Sequence, residues 1–186
     1  MRPQREEYHA RIAQAIETLS AERLEEVYEV LAHHYVRSGQ KDKAVTYLAL
    51  ANQKAAKVNT MPEAKQYFAS AIALLDTLPD TERYQRQRLE LMVSQLASML
   101  LLLQFQEYYD LLLSYEAMAV GLGNAGPLGA LYARMGFCEW WLGRLDQAIR
   151  TLTKAIALCE TAKNTEDMGQ AYLILQWSYP YTGGYD

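Results

Sequence analysis

The side chains best suited to hold a metal ion are three histidines and two cysteines, and their spacing does not suit that role. His33 and His34 are adjacent on a predicted helix, so they point roughly 100° apart, and His9 lies on a different helix. No cysteine lies at ligand spacing from a histidine. Cys138 and Cys159 fall within helical patterns that favour two buried thiols, although a disulfide between neighbouring helices stays open. We therefore expect no metal site, with histidines that face solvent or pack between helices.

Phosphate binding and hydrolytic catalysis also lack the residues they need. The segment Gly121-Leu-Gly-Asn-Ala-Gly126 matches Gly-x-Gly-x-x-Gly, a loop that cradles phosphates only when a strand precedes it. A helical pattern precedes it here, which predicts a helix end and a loop. No Gly-x-x-x-x-Gly-Lys-Ser/Thr sequence and no Ser-His-Asp arrangement is present. Glu25, Glu26, Glu29 and Asp42 form a solvated acidic edge. We therefore expect a chain that is not an enzyme and that needs no cofactor.

The elements that position the side chains are predicted to be helices. The 186 residues include 27 Leu and 25 Ala but only 10 Gly and 5 Pro, which favours helices over sheets. The net charge of −4 gives no reason to expect nucleic acid as a partner. The most apolar run, Met99–Leu103, is far shorter than the roughly 20 residues that span a membrane, and the amino terminus lacks the pattern of a secretory signal. The sequence thus predicts a cytoplasmic, all-α protein with no membrane partner.

A pattern of small and large apolar residues recurs at a nearly constant interval along the chain. Positions 64, 108 and 148 hold the same place in successive copies, at intervals of 44 and 40 residues. Gly143 and Gly183 are also 40 residues apart. Small residues allow two antiparallel helices to approach closely, and large residues fill the space between them. The pattern resembles the tetratricopeptide repeat, whose period of about 34 residues is shorter, so the helices should be long. The residues that define the pattern are Gly39, Ala44, Leu48, Ala64, Phe68, Ala71, Gly136, Gly143, Ala148, Leu152, Ala155 and Gly183.

This resemblance implies an all-α, tetratricopeptide-like solenoid, a right-handed superhelix of helical hairpins. About nine antiparallel helices would form one array over residues 1–186, with a lead-in helix at about 4–19 and repeats from about 24 to 186. Lys41–Val58 fits the repeat in two phases, as the second helix of one hairpin and the first of the next. The predicted helices are Gln4–Leu19, Leu24–Arg37, Lys41–Val58, Pro62–Leu78, Tyr84–Leu103, Gln106–Gly121, Pro127–Leu142, Leu145–Thr161 and Thr165–Tyr181.

The last repeat is predicted to be incomplete. Gly183-Gly184-Tyr185-Asp186 has the composition of the turn that opens a second helix, and the sequence stops there. The preceding helix has no polar face of the kind that closes a solenoid. We therefore expect a fragment of a longer multidomain protein. The alternatives are that this helix packs back on the array or that a second chain covers it.

Two longer stretches carry a more specific resemblance. They are Leu24-Glu-Glu-Val-Tyr-Glu-Val-Leu-Ala-His-His-Tyr-Val-Arg-Ser-Gly39 with its continuation Asp42-Lys-Ala-Val-Thr-Tyr-Leu48, and Ala71-Ile-Ala-Leu-Leu-Asp-Thr-Leu-Pro79. They resemble the tetratricopeptide region of bacterial adenylate/guanylate cyclase–AAA (STAND-type) ATPase signalling proteins, most clearly over Glu7–Pro79. The resemblance implies a regulatory, partner-sensing segment of a bacterial cytoplasmic protein, without the parent's catalytic machinery.

Charged residues are scarce in the middle of the chain. The sequence has 18 Lys and Arg and 22 Asp and Glu, yet residues 91–143 hold only five of them. A solvent-facing helix needs a polar face, so this segment is predicted to be covered by neighbouring domains, by a second copy or by a peptide. The five charged residues are Glu107, Asp110, Glu116, Arg134 and Glu139.

The first helix of each tetratricopeptide unit lines a concave groove, and here that helix carries aromatic residues. By the repeat register, one unit would present Ala133, Phe137 and Trp140, with Trp141 near the rim, and the next would present Leu173, Trp177 and Tyr181. Aromatic rings with a polar tip are common anchors for peptides. The alternative is that these rings pack against further helices. The Lys and Asn pattern that clamps a chaperone tail is missing.

Three functions remain open from sequence. The first is a non-catalytic scaffold that binds a protein or peptide partner, or neighbouring domains of the same polypeptide. The second is a metabolite-sensing solenoid of a STAND-type regulator, with Phe137, Trp140 and Trp177 forming the pocket. The third is a homodimer formed through residues 91–143.

Overall fold

A computed structural model describes residues 2–178, and every regular element in that span is helical. The chain divides into two compact units, Met1–Asp80 and Thr81–Asp186, each of which is described by itself. The first unit contains α1 (Arg2–Leu19), a 3-10 helix (Ala21–Val27), α2 (Tyr28–Ser38), α3 (Lys41–Lys57) and α4 (Met61–Leu75). The second contains α5 (Glu82–Val93), α6 (Leu96–Leu101), α7 (Phe105–Gly121), α8 (Ala125–Trp141), α9 (Leu145–Ala162) and α10 (Thr165–Ser178). The predicted all-α class is confirmed.

The helix predicted over Leu24–Arg37 is wrong in its first turn. The structure has a 3-10 helix there, and α2 begins only at Tyr28. Arg23 interrupts the helical path with φ −144° and ψ 40°. Because the chain turns at this residue, α2 starts on a new axis and packs against both α1 and α3.

The helix predicted over Tyr84–Leu103 is two helices, α5 and α6, separated at Ser94 and Gln95. The Ser94 hydroxyl donates to the Leu91 carbonyl at 2.7 Å, and Gln95 Nε2 donates to the same carbonyl at 3.0 Å. Side chains that bond nearby carbonyls compete with the backbone for them and end or bend helices. Apolar periodicity alone did not reveal this break, since both sides of it are apolar.

Left-handed residues end several of the helices. Gly39 has φ 73° at the end of α2, and Gly143 has φ 74° after α8. A residue without Cβ adopts this conformation without strain. Leu103, one repeat before Gly143, has φ 55° in the turn between α6 and α7. The same turn is therefore built once with glycine and once with a large side chain.

The tightest helix pair in the second unit is α8 with α9, and two glycines of α8 make it possible. A Cβ at Gly136 would lie 2.6 Å from Leu152 Cγ, and one at Gly129 would lie 2.7 Å from Cys159 Sγ. The two backbones therefore approach more closely than any larger residue would allow. Of the repeat-defining residues here, Gly136, Ala148, Leu152 and Ala155 are buried. Gly143 is exposed in the turn between the two helices, and Gly183 lies outside the described residues.

In the first unit, α3 packs against both α2 and α4. Alanines fully removed from solvent line these contacts, and they include Ala44, Ala64 and Ala71, with Leu48 and Phe68 also buried. Asn52 is buried on α3, where its Nδ2 donates to the Ala64 carbonyl at 2.7 Å. A single helix thus serves two neighbours, as the double phase of its sequence predicts.

Candidate partner-binding surface

Five aromatic rings gather at one end of the second unit, and we call them the aromatic surface: Phe105, Phe137, Trp140, Trp141 and Trp177. The helical period places Phe137, Trp140 and Trp141 together at the end of α8. Phe105 opens α7, and its ring stacks on that of Trp141 with centroids 4.9 Å apart and planes 3° apart. The rings of Trp140 and Trp141 meet edge to face at 5.3 Å.

The third helix of the aromatic surface is α10. The ring of Trp177 lies 5.7 Å from that of Trp140, and α8 and α10 pack side by side. Trp141 and Trp177 are nearly half exposed, at 48% and 44%. Leu173, one helical turn before Trp177, is 46% exposed. Three helices therefore present a continuous set of rings with two indoles open to solvent.

The structure brings together most of the predicted groove residues. Phe137, Trp140, Trp141 and Trp177 lie in ring contact. Ala133 is buried, so it cannot contact a partner directly. Tyr181 lies outside the described residues.

Sequence reasoning missed Phe105. Its ring stacks on Trp141, and it belongs to a helix assigned to the preceding hairpin. The available signal was the repeat period, which pairs Phe105 with Leu145 at the first helical position after a turn. That position lies beside the last turn of a neighbouring helix, where the tryptophans are.

Arg134 holds the helices that carry the aromatic surface. It lies on α8, and its guanidinium bonds the Asp167 carboxylate at 2.7 Å and Gln170 Oε1 at 2.7 Å, both on α10. Its Nε donates to the Val93 carbonyl at the end of α5 at 3.3 Å. The Arg134 and Asp167 side chains are only 12% and 11% exposed, so this ion pair is shielded from solvent. One side chain thus fixes the relative positions of α5, α8 and α10.

The low-charge segment does not bury all its apolar side chains. Within residues 91–143, five large apolar residues are exposed: Leu101, Leu103, Leu113, Val120 and Trp141. Single exposed apolar residues are normal on a protein surface, but a concentration of them with few charges is typical of a contact surface.

His9 and His34 pack against each other between helices, whereas His33 is exposed. His9 Nδ1 on α1 lies 3.0 Å from His34 Nδ1 on α2, and Arg37 contacts His33 Nδ1 at 2.9 Å. Burial lowers the pKa of His34, and the nearby His9, His33 and Arg37 lower it further. Among the described residues, no group of three or more His, Cys, Asp or Glu side chains could hold a metal ion.

The cysteines and the glycine-rich segment are structural. Cys138 and Cys159 are free and buried, and burial raises the pKa of Cys138 to about 12, so its thiol is not reactive. The segment 121–126 comprises the end of α7, a turn and the start of α8. Its Gly123 has φ 62°, and Asn124 caps α8 by accepting from the Gly126 amide at 3.2 Å. Within residues 2–178, the structure has no helix with the length and apolar character that crossing a membrane requires.

The comparisons with known proteins identify the fold. No protein-family model matches the chain, and no curated protein matches it. The apo form of RapI superposes on 87% of this chain and 44% of its own, with a TM-score of 0.75 and 11% identity. BtubC from P. vanneervenii superposes on 100% of this chain and 85% of its own, with a TM-score of 0.67 and 12% identity. Aspartyl phosphate phosphatase F from Bacillus subtilis covers 89% of this chain and 50% of its own, with a TM-score of 0.61 and 14% identity.

At these identities the likeness extends to the fold alone. The chain has the tetratricopeptide-like helical-repeat fold that the sequence predicts. It spans about half the length of RapI and of the phosphatase. The expected membership of a cyclase–ATPase family has no matching family model to support it.

Proposed function

We propose that this chain is a non-catalytic regulatory module that binds a protein or peptide partner through the aromatic surface. The observation that carries the proposal is the assembly of five rings from α7, α8 and α10 with two half-exposed indoles. Rings that are held rigidly by their neighbours lose little conformational entropy when a partner covers them. Tryptophans in such a setting are the residues that most often dominate binding energy.

The chemistry of the surface favours a segment with apolar or aromatic side chains. None of its five side chains is charged, and Arg134, which lies on α8 with three of the rings, already pairs with Asp167. A partner would therefore gain affinity by covering Trp141 and Trp177 and not by forming ion pairs. Ala133 lies too deep to take part.

The three tryptophans of the chain all belong to the aromatic surface, so intrinsic fluorescence reports on it directly. Peptides selected from a displayed random library against the purified chain should shift or quench this fluorescence saturably. Trp177→Ala should weaken their binding by at least about tenfold, the usual loss for an anchor residue. Tyr172→Ala is the matched control, because Tyr172 is an exposed aromatic residue of the same helix that lies outside the ring contacts of the surface.

Equal binding to the wild type and to Trp177→Ala would contradict the proposal. Hydrolysis of ATP or synthesis of a cyclic nucleotide by the purified chain would contradict the non-catalytic assignment.

The wider setting rests on the sequence resemblance. We place the chain as the partner-sensing segment of a bacterial cyclase–ATPase signalling protein, in which binding at the repeats controls the catalytic domains. Adding a peptide that binds the aromatic surface to the full-length gene product should change its ATPase or cyclase rate, and Trp177→Ala in that protein should remove the effect. A gene product without either catalytic domain would rule out this setting and leave the partner-binding function untouched.

A further inference from the structure

A cavity in the second unit shares no lining residue with the aromatic surface. It is a cleft, largely open to solvent, between α7 and α9 with α8 as its floor, and its volume is about 260 Å³. A water molecule occupies about 30 Å³, so the cavity has room for a small organic molecule. Polar side chains line much of it, including Tyr109, Tyr132, Glu139 and Arg150.

Glu139 is the buried acid of this cavity. Its residue is 1% exposed, and its Oε1 accepts a hydrogen bond from Gln147 Nε2 at 2.8 Å. Its second oxygen, Oε2, is buried and accepts no hydrogen bond from the described residues. Burial raises the pKa of Glu139, and the side chains of Thr151, Tyr109 and Gln147 together with the nearby charge of Arg144 offset that effect only in part. Burying a carboxylate costs free energy when one of its oxygens accepts no hydrogen bond, and a donor placed at that oxygen offsets the cost.

In the first unit, hydrogen-bond donors on both sides of a turn satisfy the carboxylate of Glu17. Tyr35 and Lys43 lie four residues before and after Gly39, and both donate to the carboxylate of Glu17. Glu139 and Gln147 lie four residues before and after Gly143, which is the same place in the second unit. There Glu139 stands at the position of Tyr35, which is a donor, and Gln147 stands at that of Lys43, so the acid of the second unit receives an amide hydrogen bond and no ammonium group.

The basic groups that line the cavity do not pair with Glu139. Lys154 donates to the Tyr132 hydroxyl, which itself donates to Glu116 at 2.7 Å. Arg150 lines the cavity and makes no hydrogen bond or ion pair with any described residue. The four charged side chains, two acidic and two basic, sum to zero. An ammonium group would pair with the buried Glu139, and a carboxylate would pair with Arg150, which is exposed.

We infer that the cleft between α7 and α9 binds a small zwitterion of the amino-acid class, with its ammonium group on Glu139 Oε2 and its carboxylate on Arg150. A compact ammonium group can donate to Oε2 and to the hydroxyl of Tyr109 or Thr151, both of which line the cleft. The site is separate from the aromatic surface, so it survives if the partner-binding proposal fails.

The test is a titration of the full chain with a panel of simple probes. The zwitterions are glycine, 4-aminobutyrate and 6-aminohexanoate, which differ in the separation of their charges. Putrescine carries only ammonium groups, and glutarate carries only carboxylates. Binding is measured by calorimetry, and the side-chain carboxyl carbon of Glu139 is followed by NMR. We expect saturable binding of at least one zwitterion, with the Glu139 pKa falling on binding because an ammonium group favours its charged form.

Variants separate the two contacts. Glu139→Gln should weaken zwitterion binding by about tenfold or more, because an amide does not attract the ammonium group. Arg150→Gln should weaken the zwitterions while leaving putrescine unchanged. Glu160→Gln, an exposed acid on the same helix as Arg150, is the control and should change nothing.

Two results would overturn the inference. One is a Glu139 carboxyl signal that no probe moves, which would mean that water alone fills the cleft. The other is equal affinity in the wild type and Glu139→Gln, with the fold of the variant verified by circular dichroism.

Discussion

At the scale of single residues, Glu17 shows how one carboxylate can join three helices. It lies on α1 and accepts from the Tyr35 hydroxyl on α2 at 2.5 Å, and from Lys43 and the Tyr47 hydroxyl on α3 at 2.6 Å each. The rings of Tyr35 and Tyr47 stack at 5.4 Å. Partial burial would raise the pKa of Glu17, but hydrogen bonds from Lys43, Tyr35 and Tyr47 outweigh it and lower the pKa to about 2.

This lowered pKa makes a prediction about stability and pH. The charged form is favoured in the folded state, so the contribution of Glu17 is complete above pH 4.5 and is lost as the pH falls toward 2. Glu17→Gln should lower the free energy of unfolding at neutral pH by about 2 kcal/mol and flatten its pH dependence over that window. Urea unfolding measured across the window checks both. Glu7→Gln, an exposed acid of the same helix, should retain the wild-type slope, and an equal slope in Glu17→Gln would refute the assignment.

The sequence predicts which side chains are buried more readily than it predicts which side chains contact one another. The buried cysteines and the rings of α8 followed from helical period, because each lies on a stripe that the sequence displays. The pairing of His9 with His34 joins residues 25 positions apart on different helices. The burial of Glu139 is of the same kind, since it depends on how closely α7 and α9 flank α8. No pattern of neighbouring residues in the sequence indicates such distances between helices.

At the scale of elements, turns decide where the helices end. The turn after α8 has the sequence Leu142-Gly143-Arg144, and the equivalent turn one repeat earlier has Leu102-Leu103-Gln104. Both central residues are left-handed, with φ 74° at Gly143 and 55° at Leu103. A large side chain in this conformation is strained by roughly 1–2 kcal/mol, and the Leu103 side chain recovers little by burial because it is 73% exposed.

Leu103→Gly should therefore stabilise the protein. The expected gain is about 0.5–1 kcal/mol, since relief of strain exceeds the added entropy of the unfolded chain. The gain appears as a higher midpoint in thermal or urea unfolding. Leu103→Ala is the control, because it removes the exposed side chain and keeps a Cβ in the left-handed conformation. A gain that is as large for alanine as for glycine would show that the side chain, and not the backbone, limits stability here.

The sequence predicts where helices occur more accurately than where a helix is interrupted. Most predicted helices differ from the observed ones by a few residues, because apolar period and glycine turns are local signals. The break at Ser94 was missed because it depends on two side chains that bond the Leu91 carbonyl. The turn at Arg23 was missed because no glycine or proline marks it.

At the scale of the whole chain, the distribution of charge separates the two proposed sites. Residues 91–143 hold only five charged side chains, and the aromatic surface has none among its five rings. The cleft between α7 and α9, in contrast, is lined by two acids and two bases. The second unit therefore carries an uncharged surface, which we propose for a macromolecular partner, and a charged cleft, which we propose for a small ligand.

These two sites should respond differently to salt. Raising NaCl from about 50 to 500 mM shortens the Debye length severalfold, which weakens attraction between charges and leaves apolar burial intact. Binding of a selected peptide at the aromatic surface should therefore change by less than about twofold and show a negative heat-capacity change, the mark of apolar burial. Zwitterion binding in the cleft should weaken over the same range. Peptide affinity that falls steeply with salt would mean that charged residues outside the aromatic surface carry the recognition.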